Sequence, residues 1–228
     1  MTTTPIQEKC ECLCHVQNPL ALDPVDVNGS CDKCVNNNCS EVNIPTPIQE
    51  TEKMVINRVW AMPSMHTFTI KPISRLLDRY VGKETLFSRK NGIWIDPFAG
   101  ENSPAQETND HNPEKPTKYH MEAIDFVNMF GNEFFDGALF DPPYSYRQVS
   151  EHYKVIGKKA TPLDTSTNFY NKVLNPLANK IKVGGYCISF GWNSNGMGKN
   201  RGFEIVEILL VAHGGRHNDT LVTVERKL

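Results

Sequence analysis

Gly137-Ala138-Leu139-Phe140-Asp141-Pro142-Pro143-Tyr144 is the stretch on which the reading of this chain turns. Small and apolar residues run without interruption into a carboxylate, and two prolines stop them there. An apolar run this short, with no polar alternation, fits a strand buried on both faces, as in a parallel sheet. The consecutive prolines fix φ and remove two backbone donors, so the chain leaves the ladder at Asp141 and the Pro142 carbonyl is free to act as an acceptor. An aromatic ring closes the segment. These groups suit a planar base bearing an amine: Asp141 and the Pro142 carbonyl accept its two N–H bonds, and Tyr144 stacks on its face. The competing reading is a proline-stiffened turn with a surface tyrosine.

Working outward, the same pattern recurs. Gly92-Ile93-Trp94-Ile95-Asp96 is a second apolar run ending in an acid, and Gly185–Phe190, Glu204–Ala212 and Thr220–Glu225 read as further strands. Lys118–Met121 reads as one more. Between them the apolar period becomes helical: Ile73, Leu76, Leu77, Tyr80 and Val81 follow Lys71-Pro72, Ile124, Phe126 and Val127 make a helical turn, and residues 166–181 place Phe169, Val173, Leu174 and Leu177 on one face. Helices alternating with short buried strands predict an α/β fold, a doubly wound and mostly parallel sheet. The last two strands are joined only by His213–Asp219, too short for a crossover, so they form an antiparallel pair.

Ligands of open α/β sheets sit at the carboxyl ends of the strands. Asp96, Glu122 and Asp141 are expected near such ends, with Asp110 in the polar run Asn109-Asp110-His111-Asn112-Pro113 as a fourth. In Asp96-Pro97-Phe98-Ala99-Gly100 a strand enters a glycine turn, which lets the backbone approach a ligand closely. The Gly- and Asn-rich loop Gly191–Arg201 follows another buried strand and is read as closing over a base, with Trp192 as an aromatic surface and Lys199 and Arg201 reaching phosphates. A flexible surface loop with incidental charges is the plainer alternative.

Composition sets the boundaries. A hydrophobic share of 39% and a charged share of 22% are those of an ordinary globular protein, and a net charge of −2 gives no global attraction to nucleic acid. Met1–Lys9 has no apolar core of a leader, and the greasiest stretch, Ile205–Ala212, is interrupted by Glu207 and too short for a bilayer. A cytoplasmic, membrane-free location is expected. Of the seven cysteines, all but Cys187 lie before residue 40, which in a reducing compartment points to metal more than to disulfides. Residues 1–40 form this cysteine-rich segment, 41–55 a linker and 56–228 the α/β domain. Thr-Pro-Ile-Gln-Glu occurs at 4–8 and again at 46–50. A structural zinc held by Cys12, Cys14, Cys31 and Cys34 is the reading of the block, with Cys10 an alternative member and a tail of free thiols the competing account. Such a module would serve contact with nucleic acid, a protein partner or a second copy.

From about residue 60 to the end, these motifs resemble the amino-methyltransferase family, which methylates adenine N6 or cytosine N4 in DNA and sometimes in RNA. Asp141-Pro142-Pro143-Tyr144 matches its catalytic tetrapeptide, and the overall pattern is similar to adenine-specific enzymes of phages and mobile elements. The resemblance implies a Rossmann-like class I methyltransferase sheet using S-adenosylmethionine. It places His66, Thr67 and Lys71 on the cofactor side, Asp96, Phe98 and Gly100 in the cofactor loop, Asp110 at the ribose hydroxyls and Glu122 at the cofactor's adenine amine. Asp141, Pro142, Pro143 and Tyr144 are then catalytic, with the amine nitrogen attacking the sulfonium methyl in line. Two departures stand out: Glu101-Asn102-Ser103 follows Gly100 where the family carries a second small residue, and neither the segment between the cofactor loop and Asp141 nor the C-terminus has room for a separate target-recognition domain. The implied function is adenine N6 methylation in DNA, with cytosine N4 or RNA adenine as alternatives. A catalytically silent subunit that only binds nucleic acid or a partner, and a zinc-dependent interaction module, are the readings from other classes.

Overall fold

The computed structural model describes residues 53–82, 92–144, 148–150, 154, 157, 159, 161, 167–215 and 217–228, all within one compact unit, Glu52–Leu228. The cysteines of the N-terminal block, Cys12, Cys14, Cys31 and Cys34 among them, lie outside the described residues.

Among the described residues seven strands form one sheet: β1 (Val55–Trp60), β2 (Trp94–Asp96), β3 (Glu107–Thr108), β4 (Phe135–Phe140), β5 (Ile181–Gly191), β6 (Phe203–Ala212) and β7 (Thr220–Lys227). Their spatial order is β1-β6-β7-β5-β4-β2-β3. All pairings are parallel except those of β7, which lies antiparallel between β5 and β6. This is the Rossmann-like doubly wound α/β architecture with an antiparallel C-terminal strand. From β2 the chain moves outward to β3 and then returns to β4 on the other side. That reversal opens the crevice of a doubly wound sheet at the ends of β2 and β4.

Strand alternation divides the interior into two cores. Trp94, Leu139, Ile188 and Phe190 face helix α1 (Lys71–Tyr80), which contributes Ile73, Leu76 and Leu77. Ile95, Ala138, Phe140 and Cys187 face α2 (Ala123–Asn128) and α3 (Thr167–Lys180), which supply Phe126, Val127, Val173, Leu174 and Leu177. Pro72 sits in the first turn of α1, where a missing N–H costs nothing. Trp94 lies against Gly137 across the β2–β4 pair: a Cβ there would stand 2.5 Å from the indole, so only glycine admits that ring.

Two details differ from the sequence reading. Strand β1 begins at Val55, the last residue of the stretch read as linker, and pairs in parallel with β6 at the sheet edge. Lys118–Met121 contributes only an isolated parallel bridge, Asn109 to Tyr119. Thr117 turns its hydroxyl back to the Tyr119 carbonyl at 3.0 Å, a local bond that competes with the ladder.

Residues 192–202 make the crossover from β5 to β6 where a helix would otherwise lie. Met197 is fully buried in the α2/α3 core, and buried Glu225 of β7 accepts the Met197 and Gly198 N–H groups at 2.6 and 2.8 Å. Burial raises the Glu225 carboxyl above its usual range, and the two backbone donors oppose that shift. Glu207, the charge inside the greasy run of β6, is likewise satisfied, by Arg79 at 2.7 Å and the Tyr80 hydroxyl at 2.9 Å. Among the described residues, no helix is long and apolar enough to cross a membrane.

Candidate active site

The end of β2 is built around a buried carboxylate. Asp96 has no exposed surface; its Oδ1 accepts the Phe98 N–H at 3.0 Å and its Oδ2 the Ser103 hydroxyl at 2.6 Å. Desolvation lifts it to about 7 against those two bonds, with Asp141 and Asp110 adding to the rise. Ser103 thus has a definite use: it closes the loop onto Asp96. Gly100 between them takes φ +56, in the left-handed region, with nothing within 4 Å of where a Cβ would stand.

A second layer ties this loop to its neighbours. Asn109, 1% exposed, donates to the Pro97 and Met121 carbonyls, each at 3.1 Å, and accepts the Met121 N–H at 3.0 Å. Its own carbonyl accepts the Ala99 N–H at 2.9 Å. One side chain therefore fixes the loop after β2, the end of β3 and the entrance to α2. Beside it, Asp110 accepts the Gly100 N–H at 3.2 Å and the Asn112 N–H at 2.8 Å, leaving lone pairs for a further donor. Glu122 immediately precedes α2, and its carboxylate lies 3.4 Å from His111 Nδ1. Glu101 holds Lys115 at 2.7 Å and lies 3.9 Å from His66.

At the end of β4, Asp141 is lifted to about 6 by desolvation, with a hydrogen bond from the Thr67 side chain pulling the other way. Thr67 comes from the 3-10 turn Thr67–Thr69 ahead of α1. Carbonyls on both sides of Asp141 are held, since neither proline can donate: the Tyr144 hydroxyl donates to the Phe140 carbonyl at 3.4 Å and the Tyr170 hydroxyl to the Pro143 carbonyl at 2.7 Å. Tyr144 N–H donates to Gln148 at 3.0 Å. Its ring lies against Gly191 at the end of β5, where a Cβ would stand 3.1 Å from it.

These elements enclose a cavity of about 390 Å³. His66, Thr67, Phe98, Gly100, Asp110, Glu122, Asp141, Pro142, Pro143 and Tyr144, all singled out in the sequence, line it together. Two others do not. Asp96 lies beneath the loop with both oxygens engaged, and Lys71 is the exposed first residue of α1 outside the lining. Trp192, Lys199 and Arg201 border a second, larger cavity of about 980 Å³, with Tyr144 in the wall shared by the two. Trp192 and Lys199 are exposed there. Arg201 is not set for a phosphate: its guanidinium donates to Asn175 at 2.8 Å, Asn171 at 2.8 Å and the Met197 carbonyl at 2.7 Å. At that end the loop is held by the bonds of the Met197 and Gly198 N–H groups to Glu225.

Asn109, Ser103, Tyr170 and Gly191 escaped the sequence reading. Only Gly191, a glycine closing an apolar strand, carried a signal that could have marked it.

No family model matches the chain, and no curated protein matches it. Among solved structures it is similar to the Burkholderia thailandensis 1,6-didemethyltoxoflavin-N1-methyltransferase with bound 1,6-didemethyltoxoflavin and S-adenosylhomocysteine (TM-score 0.45, 14% identity, 69% of this chain and 77% of that one). It is also similar to TrmN from Thermus thermophilus (TM-score 0.44, 16% identity, 70% of this chain) and spans 49% of that chain's length. A third is the N-methyltransferase NodS from Bradyrhizobium japonicum (TM-score 0.35, 11% identity, 53% of this chain and 71% of that one). The functional reading rests on the cavity and its residues.

Proposed function

We propose that this chain methylates an exocyclic base amine with S-adenosylmethionine, and that its target is adenine N6 in DNA. The observation that carries the reading is the convergence of Asp141-Pro142-Pro143-Tyr144 and the Phe98–Gly100 loop on one cavity. A volume of about 390 Å³ lies within the range of small-ligand pockets, roughly 300–1,000 Å³. The residues fit the cofactor: Gly100 leaves an open cradle beside the loop, Phe98, Met121 and Ala123 give apolar walls for a purine, and Asp110 and Glu122 are acceptors for hydroxyl and amine hydrogens. Bound there, S-adenosylmethionine supplies an electrophilic methyl group.

The chain's own contribution is positioning and electrostatics. Ionised Asp141 and the Pro142 carbonyl accept the two amine hydrogens of the base, which turns the nitrogen lone pair out of ring conjugation. Tyr144 offers the base a face to pack on. Asp141 has no need to be a strong base, since the amine becomes acidic only as it is alkylated. Trp192 and Lys199 are assigned to the flanking strand, as a stacking surface and a phosphate contact. The cysteine segment is assigned a zinc site of Cys12, Cys14, Cys31 and Cys34, with metal analysis of reduced protein expected to give about one zinc per chain.

The deciding experiment is tritiated methyl transfer to mixed DNA and RNA followed by nucleoside identification. Label in N6-methyladenine from DNA is expected. Label in N4-methylcytosine or in RNA would replace the target while keeping the reaction, and no label in any nucleic acid would overturn the proposal. Asp141→Ala is expected to lower transfer at least about a hundredfold, the scale of losing a preorganised electrostatic contact, while cofactor binding by calorimetry survives.

A further inference from the structure

The segment Asp141–Tyr144 has an unusual difficulty. Two prolines set φ and remove the N–H groups of the Asp141–Pro142 and Pro142–Pro143 peptides, but they leave the ψ of Pro143 free. The plane of the Pro143–Tyr144 peptide decides where the Tyr144 ring points, and it has to be fixed from outside. The Tyr170 hydroxyl does this on the carbonyl side, donating to the Pro143 carbonyl at 2.7 Å, while Gln148 accepts the Tyr144 N–H of the same peptide at 3.0 Å. The Tyr170 ring is tilted against that of Tyr144, with centroids 6.2 Å apart.

The next residue on α3, Asn171, accepts a bond from Arg201 at 2.8 Å, and Asn175 one turn on accepts another at 2.8 Å. Arg201 also donates to the Met197 carbonyl, and Met197 is held in turn by Glu225. A guanidinium is a rigid planar fork, so three bonds from it fix orientation as well as distance. The crossover loop, helix α3 and the proline segment are thereby clamped in series.

The geometry points to Tyr170 as a positioning residue for methyl transfer: it orients the Pro143–Tyr144 peptide and is itself set by the Arg201 latch on Asn171 and Asn175. This rests on the methyltransferase reading above. Neither residue lines the smaller cavity, so their loss should act on the catalytic step and leave cofactor affinity alone.

The test compares wild type, Tyr170→Phe and Arg201→Lys in full-length protein. It measures kcat and KM for the methylated nucleic acid, the cofactor Kd by calorimetry and the thermal midpoint. Tyr170→Phe keeps the ring and removes the hydroxyl. It is expected to lower kcat about tenfold with KM and cofactor Kd within twofold of wild type. Arg201→Lys keeps the charge but not the fork, and a fall of about threefold in kcat in the same pattern is expected. Unchanged kcat in a folded Tyr170→Phe overturns the inference while the methyltransferase reading stands. Loss of cofactor binding or a collapsed midpoint in both variants also overturns it, by making the clamp merely structural. Wild type that methylates no nucleic acid overturns both.

Discussion

In the proposed reaction Asp141 is the stronger acceptor for an amine hydrogen when ionised, and its surroundings raise it to about 6. Transfer by the saturated enzyme is therefore expected to climb with pH through about 6 and level off above it, read as initial rates between pH 5 and 8. Asp96, lifted to about 7, is sealed from the cavity, so Asp96→Asn should leave that inflection in place. Stability runs the other way. Both carboxyls hold their protons to higher pH in the folded state than in the unfolded chain, where they titrate near 3.8. The folded state thus binds more protons between those limits. Their contribution to stability is greatest in acid, falls as pH rises toward 7 and is flat beyond. Urea midpoints across that range should show a shallower fall for Asp96→Asn. At this scale the sequence was informative where a residue ended an apolar run, as Asp141 does, or closed the turn after one, as Gly100 does. It could not tell that Asp96 faces inward, because that depends on Ser103 folding back over it.

Asn109 shows what an element boundary can hide. It lies in a run of polar residues in which nothing distinguishes it from Asp110 or Asn112, and its importance comes from three segments meeting around it. Asn109→Ala leaves the Met121 N–H and the Pro97 carbonyl unpaired in the interior, at about 1–3 kcal/mol each by the usual cost of such groups. The denaturation midpoint should drop with little change in m. Gly137→Ala would drive a methyl into the Trp94 indole and cost roughly 1–3 kcal/mol by overpacking, measured the same way. Helices were legible because their apolar period is strong: α1 starts at Lys71 and buries Ile73, Leu76 and Leu77 as the spacing predicts. Strand β1 was not. It is a sheet edge whose residues are largely exposed, so Val55–Trp60 shows no buried stripe to mark it.

The whole molecule carries a net charge of −2, and Arg201 is engaged internally. Binding to nucleic acid should accordingly depend only weakly on salt. With Lys199 as the assigned phosphate contact, the slope of log K against log salt is expected near −1 and no steeper than about −3, measured by anisotropy between 50 and 200 mM salt. The architecture as a whole was readable from alternating elements and one short connection, because both follow from chain-local periodicity. The crossover at 192–202 was not: its burial of Met197 and its anchoring to Glu225 are contacts between distant parts of the chain. Among the described strands β7 is the last in chain order, yet it lies inside the sheet, with β5 on one side and β6 on the other. Until it emerges, β5 and β6 each present an unpaired inner edge, and β6 with β1 has no ladder to the rest. A chain cut before Thr220 is expected to form not a shorter version of the same sheet but two sheet fragments with open edges, a template for aggregation. Folding of this sheet is consequently completed only after translation of its last strand.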